Sequence, residues 1–147
     1  MIALKVETLT MTETQVQLKE STVEFINELV AESYCQDDIY DFINEHSEED
    51  FVNYYEEYVG FGEEYCYEAV DAFIAAFGIE CVSHFSDAYR GQYDSEAEFA
   101  EEFVTDVEGN IPSYIVVDWE ATWNYNLKYD FVYEVCGSKG FVFDRNF

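Results

Sequence analysis

The chain has 147 residues, 49% hydrophobic and 19% aromatic. That suits one domain, or two small ones sharing a core, and excludes an acidic disordered tail. Its 33 acids against six bases give a formal net charge of −27, which excludes nucleic acid and anionic membrane as direct ligands and points to a cationic partner surface.

Residues 1–19, rich in Thr and Val, alternate apolar and polar side chains and read as one or two strands with a turn near Thr12–Thr14. Ser21 and Glu24 form a capping-box pattern. It opens a helix to about Glu32, with Val23, Phe25, Ile26, Leu29 and Val30 on or near the inner face. Asp37 and Asp38 start a short helix, "DDIYDFINEH", that packs Ile39, Phe42 and Ile43. Ser47 and Asp50 mark a third start, leading into "EEDFVNYYEEYV" and ending at Gly60. "GEEYCYEAVDAFIAAFG" is closed by Gly78 as a C-cap, and "IECVSHFSDAY" runs to about Tyr89. From Glu24 to Glu108 there are 25 acids and one base, Arg90.

Asp87–Glu108, "DAYRGQYDSEAEFAEEFVTDVE", is the most informative stretch. A turn carrying Arg90 precedes a helix capped by Ser95 and Glu98, each satisfying the other's backbone N–H. Phe99, Ala100, Phe103, Val104 and Val107 make one apolar stripe, and acids occupy most of the rest. Like charges at i,i+4 cost a few tenths of a kcal/mol each. A helix that accumulates them marks the charge itself as the product. Reversing Glu98, Glu101 and Glu102 to Lys is therefore expected to relieve repulsion and raise stability.

Ile111-Pro112 marks a loop, its proline suited to the first turn of a helix. "SYIVVDWEATWNYNL" reads as helix, and "YDFVYEV", a "CGSKG" turn and "FVFD" as a C-terminal hairpin. The expected class is α+β: a central bundle of short acidic amphipathic helices with small antiparallel strand units at the N- and C-termini. The expected segments are 1–20 (strand), 21–89 (acidic helical) and 90–147 (α+β).

No catalytic constellation can be assembled. His46 and His84 lack HExxH or HxH spacing, and no GxSxG, P-loop or GxGxxG is present. Cys35, Cys66, Cys81 and Cys136 show no metal spacing and read as small buried hydrophobes in a reducing cytosol. "DDIYDFINEHSEE" lacks the alternating ligands and central Gly of an EF-hand. The expectation is a protein that is not an enzyme and has no cofactor or metal. No signal peptide, transmembrane run or lipidation motif appears, so a soluble, cytoplasmic protein is expected.

Duplex DNA carries one negative charge per about 1.7 Å of axis, so a charge of −27 equals roughly 45 Å of duplex, about a dozen base pairs. Helical carboxylates three or four residues apart lie about 5–6 Å from one another. A rigid aromatic core can hold them as a phosphate-like array. The acids assigned to that surface are Asp37, Asp38, Asp41, Glu45, Glu48, Glu49, Glu56, Glu57, Glu63, Glu64, Glu68, Asp71, Asp87, Asp94, Glu96, Glu98, Glu101, Glu102, Asp106 and Glu108. Two other readings stay open: an acidic module directed at another basic DNA-binding or defence protein, and an acidic protein from a salty cytoplasm. The 13 Phe and 13 Tyr weigh against the latter, being more than surface solvation requires.

"DAYRGQYDSEAEFAEEF" (Asp87–Phe103), "IPSY" (Ile111–Tyr114), "DWEA" (Asp118–Ala121) and "GFVF" (Gly140–Phe143) follow in order, with a weaker echo at "YVGFG" (Tyr58–Gly62). Together they resemble the C-terminal half of ArdA-type antirestriction proteins, whose members read close to "YxGxYxSxxDFAxE", "IPxxL", "DYExxARDL" and "VFVF". The resemblance implies an inhibitor of type I restriction–modification enzymes from a phage or mobile element, acting in the host cytoplasm. It also implies an elongated homodimer that imitates bent DNA and occupies the DNA site of the methyltransferase core. On it, Tyr89, Gly91, Tyr93, Ser95, Phe99, Ala100 and Glu102 build and cap the acidic helix. Ile111, Pro112, Tyr114, Asp118, Trp119 and Glu120 fall in the antirestriction motif near the dimer contact. The family's Arg-Asp pair is replaced within Trp123-Asn124-Tyr125-Asn126-Leu127, and residues 1–20 read as a shorter strand unit in place of the usual N-terminal domain.

Overall fold

The computed structural model describes residues 18–147, so the strands and turn expected over residues 1–17 lie outside the described residues. The described residues form an α+β fold, mostly helix with one three-stranded antiparallel sheet. The chain divides into two units, Met1–Glu56 and Glu57–Phe147.

In the first unit, α1 (Glu20–Ala31) and α2 (Gln36–Glu45) precede α3 (Glu48–Glu64), which begins here and ends in the second unit. Ile26, Leu29, Ile39, Phe42, Ile43, Phe51 and Tyr55 form the buried interior. Its rings meet at tilted or edge-on angles, Phe51–Tyr55 at 5.1 Å and Phe42–Tyr55 at 5.0 Å, as aromatic quadrupoles prefer. α1 starts two residues earlier than the capping-box reading, which put Ser21 at the cap. Lys19 stands at the cap position without a side-chain bond. Instead the Lys19 N–H and the buried Thr22 hydroxyl donate to Glu48 Oε2, at 2.8 and 2.5 Å. α1 ends in a Schellman turn: Tyr34 N–H donates to Leu29 O and Ser33 N–H to Val30 O, with Ser33 at φ +82°. Ser47 caps α3 as expected, its Oγ accepting from Asp50 N–H at 3.0 Å.

The second unit is built around one strand. α4 (Tyr67–Phe77), a 3-10 turn (Ile79–His84) and the short α5 (Phe85–Ala88) lead into β1 (Tyr89–Gln92). Then come α6 (Glu96–Glu108), α7 (Trp119–Tyr125), a 3-10 turn (Leu127–Tyr129), and the hairpin β2 (Phe131–Cys136) and β3 (Lys139–Asp144). The sheet order is β1-β3-β2, so the last strand is central. Phe141, Val142 and Phe143 are all fully buried, which explains an unbroken apolar run in place of alternation. Phe143 meets Phe73, Phe85 and Tyr89 at 5.3–6.0 Å. Val142 packs in a separate cluster with Phe99, Ala100, Trp123 and Phe131. Tyr133, opposite Val142, spans Gly140 and donates its hydroxyl to Tyr93 O at 3.0 Å. A Cβ on Gly140 would overlap that ring.

Four departures from the sequence expectation have physical reasons. α3 continues past Gly60 to Glu64, its last turns carried by packing: Phe61 lies 5.3 Å from Phe85, and Gly62 is pressed under the Tyr67 ring. The turn expected at Arg90 is an edge strand, with a bulge between Tyr89 and Gly91 and Gly91 at φ +136°. The seam expected at 89/90 runs through packed core, since Phe85 and Tyr89 stack at 5.1 Å and both meet Phe143. The helix expected over "SYIVVDWEATWNYNL" is confined to Trp119–Tyr125. The β-branched run Ile115-Val116-Val117 disfavours helix.

Candidate anionic interface

α6 carries the densest carboxylate face. Ser95 has extended backbone and its Oγ accepts from Glu98 N–H at 3.1 Å. The return bond differs from the expected box: the Glu98 carboxylate accepts from Asp94 N–H at 2.9 Å. At the other end Gly109, at φ +85°, donates its N–H to Thr105 O. Phe99 and Ala100 are buried and Phe103 half-buried, but Val107 is 62% exposed. The stripe's last turn borders an open cleft with Arg90, Asp130 and Asp144.

Glu98, Glu102 and Asp106 stand four residues apart, a step of about 6 Å along the axis. Two phenols lie in their field. The Tyr93 hydroxyl donates to Glu102 Oε1 at 2.7 Å. Burial first, then that bond and the charges of Glu102, Asp106 and Glu98, holds Tyr93 well above the ordinary tyrosine range. Tyr133 is raised by burial and then by Glu96, Asp94 and Glu98.

Of the acids assigned to the mimic surface, Asp37, Asp38, Asp41, Glu45, Glu49, Glu56, Glu57, Glu63, Glu64, Asp87, Asp94, Glu96, Glu98, Glu101, Glu102, Asp106 and Glu108 are exposed. The other three are half-buried and engaged. Glu48 ties Lys19 and Thr22, Glu68 lies 3.7 Å from Lys139 Nζ, and Asp71 accepts from the Tyr58 hydroxyl at 2.8 Å. No Asp or Glu is buried among the described residues.

A second row lies outside the acids assigned to the mimic surface. Glu20, Glu24, Glu28 and Glu32, all exposed, repeat every four residues along α1 and its C-cap. The spacing of four is legible in the sequence, where these acids interleave with the apolar stripe of α1. In the same unit burial, then Asp38, Cys35 and Tyr34, pushes the Tyr55 phenol up to about 12.

Little cationic charge compensates. Among the described residues, Arg90 meets Asp144 at 2.7 Å and Lys139 meets Glu68 at 3.7 Å. Even with every base paired, six could neutralise at most six of 33 acids. His46 lies 3.5 Å from Glu45 and its ring packs on Phe42, while His84 packs on Phe147. No group of three or more His, Cys, Asp or Glu is placed to hold a metal among the described residues. The cysteines are free and none is fully buried, contrary to expectation, and Cys35 is exposed. No helix of the described residues is long and apolar enough to cross a membrane.

The segment assigned to the antirestriction motif divides into two kinds of residue. Trp119 packs beside Trp123 on the Phe99–Phe131 cluster, and Asp118 caps α7, its Oδ1 accepting from Ala121 N–H at 3.0 Å. Glu120 and Pro112 are exposed, Ile111 is half-buried, and Tyr114 is 85% exposed. Pro112 lies in a turn, its carbonyl accepting from Ile115 N–H.

Comparison with protein-family models, curated proteins and solved structures finds no match.

Proposed function

We propose that this protein is a DNA mimic that inhibits type I restriction–modification enzymes by presenting its carboxylates to the DNA-binding cleft of the methyltransferase core. The observation that supports this reading best is the pair of exposed rows, Glu20/Glu24/Glu28/Glu32 and Glu98/Glu102/Asp106, fixed on helices with packed aromatic interiors. A flexible acidic tail would lose conformational entropy on binding, whereas a row held in place does not. The resemblance of Asp87–Phe103 and the motifs after it to ArdA-type proteins chooses the target. The array itself fits any basic DNA-binding or defence protein.

The test is competition. A type I methyltransferase core is mixed with its DNA site and increasing amounts of the protein at low salt. DNA is expected to be displaced, with the effect fading as salt screens the contact over a Debye length of about 8–10 Å. Lack of displacement from this enzyme, with displacement from another DNA-binding protein, would move the target but keep the mimicry. Lack of displacement from every DNA-binding protein tried would end it.

A further inference from the structure

Within the second unit, Tyr114, Ile115 and Val116 are 85%, 47% and 96% exposed in the loop between α6 and α7. Three consecutive large apolar side chains turned to solvent form a patch, not scattered surface residues. Beside them a cleft of about 360 Å³ is lined by Ile111, Ile115, Val117 and Trp119 from the loop side and by Glu101 and Thr105 from α6. Ile115 belongs to both the patch and the cleft, so a partner that covers Ile115 there also faces the Glu101 carboxylate.

We infer that this loop is an apolar anchor for the same basic protein that the carboxylate rows engage; the inference rests on the function proposed above. Charge decides between occupants. A second copy brings −27 against −27. In a two-fold contact the same patch meets itself, so the acids around it, Glu101, Asp118 and Glu120, would be brought near the acids of the other copy. Such like-charge juxtaposition opposes association. A surface of Lys and Arg with an apolar side chain or a long alkyl stem among them satisfies both halves of the site. The apolar centre then resists dissociation, and the charged surround speeds encounter and carries the salt dependence. The resemblance assigns this segment to self-association; the local charge assigns it to the cationic partner.

The experiment uses the whole chain and a type I methyltransferase core, with affinity measured across a salt series. Tyr114→Ser with Val116→Ser is expected to weaken binding about tenfold or more while leaving the salt slope unchanged. Glu101→Lys should flatten the slope. Both mutated side chains are exposed, so near-ultraviolet dichroism should match the parent. If the parent displaces DNA and the double variant binds equally well, the anchor is refuted and the mimic stands. A parent that displaces nothing takes both down. A parent that sediments as a dimer, with a monomeric double variant, overturns the inference in favour of a second copy. Strong exchange protection of the 113–117 amides in the free protein overturns it in favour of cover from within the chain.

Discussion

The Tyr93 hydroxyl donates to Glu102 at 2.7 Å, a bond that joins the aromatic interior around Phe99 to the anionic face of α6. Tyr93 packs edge-on to Phe99 at 5.1 Å and its carbonyl holds Tyr133, so Glu102 is anchored through the core. Because the folded pKa of Tyr93 lies above its unfolded value of 10.0, the neutral phenol favours the fold. That contribution is complete below pH 10 and is lost as pH rises through the folded value. Tyr55, at about 12, acts in the same direction, as do Tyr89 and Tyr133. Stability should therefore fall from about pH 10 upward. Tyr93→Phe should flatten that fall and, at neutral pH, cost about 1 kcal/mol for one exposed charged hydrogen bond. Urea unfolding across this range, with tyrosinate absorbance, checks both; a variant with the parent's alkaline slope would refute the assignment.

The helix starts separate structural carboxylates from displayed ones. Ser95→Ala removes a side-chain cap and is expected to cost about 1 kcal/mol. Ser21→Ala, on an exposed residue inside α1 that does not cap it, should stay within about 0.5 kcal/mol of the parent. Glu48→Ala removes a negative charge yet should destabilise by about 1–3 kcal/mol, because it strands the buried Thr22 hydroxyl. Chemical denaturation of the three variants settles their order; a stabilised Glu48→Ala would mean that repulsion outweighs the tie.

What the sequence made legible was local. The Ser95 and Ser47 caps depend on residues three apart, and the β2–β3 hairpin on apolar runs either side of Gly137. What it hid was long-range. β1 is four residues, "YRGQ", too short to show a period in the sequence, and becomes a strand because β3, some fifty residues later, offers a free edge. α3 crosses two glycines because Phe61 packs on Phe85, well along the chain, and the Tyr67 ring covers Gly62. At the candidate site the carboxylates were legible as exposed, since they avoid the apolar stripes. Glu98 was legible as an acceptor too, although its donor is Asp94 N–H in place of Ser95 N–H. The roles of Glu102 and Glu48 as acceptors were not, because their donors, Tyr93 and Thr22, lie on other elements.

That division changes which charge reversals should stabilise the fold. Glu98→Lys and Glu102→Lys each remove an acceptor as well as a charge, so the triple reversal with Glu101 is expected to give no stability gain. Asp106 and Glu108 instead occupy the last turn of α6, where negative charge opposes the helix dipole and no base is present. Asp106→Lys and Glu108→Lys should raise stability by about 0.5 kcal/mol each and, on the mimic reading, weaken inhibition. Thermal melts paired with DNA-competition assays read both effects. Stabilised variants with full inhibition would place the contact face elsewhere.

Arg90, the one base between Glu24 and Glu108, sits at the β1 bulge and pairs with Asp144 at 2.7 Å. Burial alone would raise the Asp144 carboxyl, but bonds from Asn146 N–H and from the Arg90 guanidinium outweigh it and hold the group below its usual 3.8. A depressed folded pKa gives stability that is present above 3.8 and lost as pH falls through the folded value. General acidification acts oppositely, since protonating the other carboxylates relieves their repulsion. The informative quantity is thus the difference between the parent and Arg90→Met. With Arg90 45% exposed, the pair should contribute no more than about 1 kcal/mol at neutral pH. That difference should shrink as Asp144 is protonated, and the Asp144 carboxyl should titrate at higher pH in the variant. Carboxyl-detected NMR titration of both proteins checks the shift, and an unmoved Asp144 would mean that the Asn146 bond alone holds it down.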